Sequence, residues 1–97
     1  MIFTIQGLLK ENIYVLMRKV GYHFQGRDET KSELTFTHPA RGYPRFHIYL
    51  KTKKDSLTIN LHLDQKKPIY KGAPAHSAEY EGRVIKEEVQ RIKQILL

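Results

Sequence analysis

His47 and His62 are the side chains best suited to chemistry near neutral pH, because an imidazole titrates there and offers a ring nitrogen to a proton or a metal ion. Each sits in a run of period two. Phe46, Ile48 and Leu50 alternate with Arg45, His47, Tyr49 and Lys51, and Leu57, Ile59, Leu61 and Leu63 alternate with Thr58, Asn60, His62 and Asp64. A pleated strand sends successive side chains to opposite faces, so the two runs predict half-buried strands joined by a short polar turn. One face of that hairpin is apolar, and the other gathers two imidazoles, a phenol, an amide and a carboxylate. A register pairing Arg45 with Asp64 and His47 with His62 keeps both apolar sets together. A shift of two residues pairs His47 with Asn60 instead, and the histidines stay neighbours in either case.

Three chemistries fit these residues. In the first, the polar face binds nucleic acid, RNA in preference to DNA, with Arg45, Lys51, Lys53, Lys54, Lys66, Lys67 and Lys71 on phosphates and Tyr49 as a stacking surface. In the second, His47 and His62 act as general acid and base in phosphodiester cleavage, with Lys51 or Lys66 stabilising phosphate charge. In the third, His62 and Asp64, joined by His47 or by His76 and Glu79, hold a divalent metal: His-x-Asp places both ligands on one strand face, and His76 and Glu79 are three apart near a helix start. The same lysines would also serve an acidic protein partner. Nucleic acid is the favoured partner, and the sequence names no cofactor.

The charge distribution supports an anionic partner. Of the net +7, residues 1–37 contribute +1 (five basic, four acidic), residues 38–71 contribute +6 (eight and two) and residues 72–97 nothing (four and four). The excess is concentrated on the hairpin and the loop after it, which favours a polyanion more than uniform basicity would. The absence of cysteine excludes a disulfide framework, a zinc ribbon and a thiol nucleophile. Ninety-seven residues suit a single domain, 1–97, with one core. The apolar Met1–Ile5 opening stops at Gln6-Gly7, too short for a signal peptide or a membrane span, so a soluble cytoplasmic protein is expected.

The elements that must position the hairpin read as follows. Leu9, Ile13, Leu16 and Val20, widened by Leu8 and Met17, predict a helix from about Gly7 to Val20, stopped by Gly21. Ile2, Phe3 and Ile5 fit either the start of that helix or a short strand. Tyr22, His23 and Phe24 read as a brief extended piece before a polar loop over Gln25–Thr30, with Tyr22–Gln25 a candidate fourth strand, and Glu33–His38 reads as a strand. Pro39 and Pro44 bracket a turn containing Gly42, and Gln65–His76 reads as a long loop. A last helix is expected from Ser77 as cap, with Glu79 and Glu81 in its first turn. Ala78, Gly82, Ile85, Val89, Ile92 and Leu96 form its buried stripe, and Glu79 with Arg83 and Glu87 with Arg91 its exposed pairs. The sum is an α+β fold: an N-terminal helix, a three- to four-stranded antiparallel meander and a C-terminal helix, both helices on the Phe36, Ile48, Ile59 face.

That order of helix, meander and helix, over roughly Leu8 to Leu96, resembles in topology the double-stranded-RNA-binding-like fold, including the HicA-type mRNA-cleaving toxins. The resemblance implies RNA as partner and a histidine on a strand. In that family the histidine follows a short Gly-Ser-type turn, whereas Gly42-Tyr43-Pro44-Arg45-Phe46 precedes His47 here, so no site residue is transferred.

Overall fold

A computed structural model describes residues 1–7, 11–65, 78–79 and 82–96. The fold is α+β: β1 (Ile2–Gln6), α1 (Ile13–Lys19), β2 (His23–Asp28), β3 (Glu33–His38), β4 (Arg45–Lys53), β5 (Ser56–Asp64), β6 (Ala78–Glu79) and α2 (Arg83–Leu96). The antiparallel sheet runs β1-β5-β4-β3-β2, and the two residues of β6 pair with the end of β5. It is therefore wider than a three- to four-stranded meander. The meander β2 to β5 is present, and Ile2–Gln6 adds a strand against β5, placing Phe3 opposite Ile59 and Ile5 opposite Leu57. Extending the apolar face by those two residues stabilises the chain more than the first turns of a helix would, since most helix stability comes from packing an apolar face.

The N-terminal helix is accordingly shorter than its apolar spacing suggests. Gly7 sits in a turn at φ +126°, its N–H bonded to Asp55 O at 2.9 Å, and Asn12 caps Ile13–Lys19 by accepting from Tyr14 N at 2.7 Å. Its end follows expectation. Gly21, at φ +95°, donates to Arg18 O at 2.9 Å and Tyr22 donates to Met17 O at 2.8 Å, a Schellman closure that only glycine enters without strain.

The C-terminal helix begins five residues later than a Ser77 cap would place it, at Arg83. Gly82, at φ +116°, accepts from Lys86 N at 3.0 Å and so stands at the helix entrance rather than on its inward stripe. Glu79 lies in β6, not in a first turn, and Ser77 and Glu81 fall outside the described residues. Arg83 bonds Glu87 at 2.9 Å, and Arg91 engages Glu88 rather than Glu87.

Period two governs the core. Ile5, Phe36, Ile48, Leu50, Leu57, Ile59 and Leu61 are at most 2% exposed and form one cluster with Met17 of α1, Val20 at its C-terminal cap, and Ile85, Val89 and Ile92 of α2. Burying each such side chain contributes roughly 1.5–3 kcal/mol, which fixes the register: a slip of one residue would turn the whole set outward. Among the described residues no helix is long and apolar enough to cross a membrane.

Candidate functional site

The register of β4 on β5 sets Arg45 opposite Asp64, His47 opposite His62, Tyr49 opposite Asn60 and Lys51 opposite Thr58. This is the first of the two alignments compatible with the sequence. The polar residues of the hairpin thus share the face away from the buried cluster, and their chemistry centres on Asp64. His47 Nδ1 lies 3.3 Å from Asp64 Oδ2, His62 Nε2 lies 3.1 Å from Asp64 Oδ1, and Arg45 Nε lies 3.8 Å from Oδ2. Because a carboxylate only accepts, His47 presents a protonated Nδ1 to it.

The rings are fixed from the side as well. Tyr49 stacks on His47 with centroids 4.6 Å apart and planes at 28°, and on His62 at 5.4 Å and 28°, while the two imidazoles lie 4.8 Å apart. Arg45 rests its guanidinium 4.7 Å over the ring of Tyr43. Thr37, opposite His47 on β3, is wholly buried and accepts from Gln25 Nε2 at 2.8 Å. Gln25 is the residue skipped where β2 shifts register between Phe24 and Gly26, and it also donates to Ala40 O at 3.0 Å. The bulge re-aims that amide over the polar face. The polar run from Gln25 reads as a loop in the sequence, whereas β2 continues through it to Asp28, and the role of Gln25 was missed because a bulge leaves no mark on period two until the partner strand is known.

The imidazole side is less open than expected. His62 is 4% exposed, and the His47 side chain 16%. Burial pushes both imidazoles below their ordinary value, opposed at each by Asp64. Both are therefore neutral near pH 7, ready to act as bases or ligands. Only His47 retains ring surface a solvent-borne group could reach, so the pairing of two histidines as acid and base is left with one accessible member.

Lys51, Lys53 and Lys54 are exposed, the first two on the same side of β4 as Arg45, His47 and Tyr49, the last in the turn. Tyr49 and Asn60 also line a shallow hollow with Asp28, Lys31 and Glu33, so carboxylates border this face toward β2. Lys66, Lys67, Lys71 and His76 lie outside the described residues. Register pairs Glu79 with Leu63 and Ala78 with Asp64, so Glu79 is not the residue opposite the carboxylate. Of the sequence-derived metal ligands, His62 and Asp64 are brought together with His47, and ligand atoms of these three all lie within 4.8 Å of one another. Comparison of the chain with protein-family models, with curated proteins and with solved structures found no match.

Proposed function

We propose that the protein binds nucleic acid, RNA in preference to DNA, along the polar side of β4. One observation carries this reading: Arg45, His47, Tyr49, Lys51 and Lys53 occupy alternate positions of a single strand, with no acidic residue among them. At about 3.3 Å per residue their side chains stand some 6.6 Å apart on one face, a cationic row with aromatic rings in its middle. Asp28 and Glu33 repel phosphate from the β2 side, so the polyanion follows the strand instead of crossing the sheet. Thr35, Thr58 and Asn60 offer hydroxyl and amide partners to a ribose 2′-hydroxyl. In this reading both helices back the sheet from its apolar side. The single buried cluster that unites Met17, Val20, Ile85, Val89 and Ile92 with the inward strand residues supports that arrangement.

The test is fluorescence anisotropy with a short single-stranded RNA and the matching DNA over about 50 to 200 mM salt, where phosphate contacts make affinity fall steeply. No binding to either at the lowest salt refutes the reading, and affinity indifferent to salt removes the cationic row as the contact to phosphate. A second reading, cleavage, draws on the His47–Asp64 contact: Asp64 holds Nδ1, leaving Nε2 as the nitrogen able to take a proton from a 2′-hydroxyl. Incubating the same RNA with wild type and with His47→Ala decides it, since cleavage that survives the substitution removes His47 as base.

A further inference from the structure

The geometry points to His47, His62 and Asp64 as a binding site for a divalent transition-metal ion of the zinc class. Two imidazole nitrogens and one carboxylate oxygen are a donor set that zinc takes with three protein ligands, keeping its fourth position for water or a substrate oxygen. Zinc ligands at about 2.0–2.1 Å from the ion stand about 3.3 Å from one another at tetrahedral angles. His47 Nδ1 is 3.3 Å from one Asp64 oxygen and His62 Nε2 is 3.1 Å from the other. No pair of the three ligand atoms is more than 4.8 Å apart, so small shifts of the rings, with the proton of each coordinating nitrogen moved to the other ring nitrogen, close the set around a shared ion.

The surroundings fit a held ion. All three residues project from the paired ends of β4 and β5, where His47 faces His62 in continuous ladder register, so the donors do not have to be gathered from loops. Tyr49 stacks against both rings and limits their rotation. His62 is 4% exposed, which keeps water from competing at that nitrogen. Arg45 is the cation now nearest Asp64, and its guanidinium already rests over Tyr43, a position it can keep while an ion takes its place at the carboxylate. Two imidazoles select zinc, cobalt(II) or nickel over magnesium or calcium, which prefer an all-oxygen shell.

This site does not depend on RNA binding, and its test uses the protein alone. The full chain, stripped with a chelator, is titrated with cobalt(II) chloride and then with zinc chloride. The expected result is saturation at one ion per chain, with the intense visible bands of four-coordinate cobalt, displaced by zinc, and a melting temperature raised by zinc. Asp64→Asn and His62→Gln, each checked for native circular dichroism, should lose uptake at least tenfold. Failure of the wild type to take up either ion at tens of micromolar overturns the site, and needs no variant to fold. Uptake undiminished in Asp64→Asn and His62→Gln also overturns it, by assigning the ion to other residues.

Discussion

His47 and His62 stand opposite one another across the β4–β5 ladder, ring centroids 4.8 Å apart, and both reach the carboxylate of Asp64. Asp64 is the hub of the polar face, because Arg45 also lies within 4 Å of it. Its removal leaves a buried imidazole, a half-buried one and a guanidinium without their common acceptor. Asp64→Ala is therefore expected to destabilise the protein by roughly 1–3 kcal/mol, the usual cost of stranding a buried polar partner. Urea denaturation of the metal-free protein measures this, and a variant as stable as wild type would mean that the carboxylate serves only a ligand.

The cationic row makes a quantitative claim about salt. If Lys51 and Lys53 each neutralise one phosphate of a single strand, removing both should flatten the slope of log affinity against log salt by roughly 1.4, at about 0.7 per contact. Both side chains are exposed and away from the core, so Lys51→Ala/Lys53→Ala should fold as wild type does. A slope unchanged in the double variant would place the polyanion elsewhere on the molecule.

How legible the hairpin was, and the helix ends were not, follows from which forces set them. Phe46 to Leu63 alternates because one sheet face is buried, so strand identity and facing could be read directly, whereas the register stayed open between two alignments until the pairing of β4 with β5 selected one. Ile2, Phe3 and Ile5 could not be assigned, because an apolar triplet fits a helix start or an edge strand, and only pairing with Leu57 and Ile59 decides between them. Ser77 and Glu79 carry good helix-start chemistry, yet Ala78–Glu79 pairs with β5 and Gly82 takes the entrance. Local propensity there yields to tertiary pairing. At the site, the His62–Asp64 spacing of two was visible, but the near-burial of His62 was not, since alternation separates faces without saying how deep each face lies.

Gly21 tests the junction between α1 and β2. At φ +95° it holds a conformation costly to any other residue, and an added Cβ would meet the His38 ring at 3.3 Å. That ring nitrogen, Nδ1, lies 2.6 Å from Gly21 O; a carbonyl only accepts, so the nitrogen carries the proton. Gly21→Ala thus adds backbone strain and crowds the same contact. A loss of at least about 1 kcal/mol is expected in denaturant titration, and a neutral result would mean that the closure relaxes without cost.

Tyr22 gives the protein a defined response to alkali. Its phenol is 1% exposed and donates to Glu88 Oε2 at 2.6 Å, while Arg91 donates to both oxygens of that carboxylate at 2.8 and 2.7 Å. Burial first, and then the hydrogen bond to Glu88, push the phenol far above its ordinary value of about 10. The folded state therefore keeps a proton that the unfolded chain releases. The stabilisation is complete below about pH 10 and declines as pH rises beyond it, because only the unfolded state gains by ionising. Of six tyrosines, at least one should remain protonated in ultraviolet titration until the fold itself gives way. Tyr22→Phe should remove that late step and lower stability at neutral pH by roughly 1.5–3 kcal/mol, the range for a hydrogen bond to a charged group. If all six tyrosines ionise together near pH 10 while circular dichroism stays native, the Tyr22–Glu88 bond does not close this end of the core.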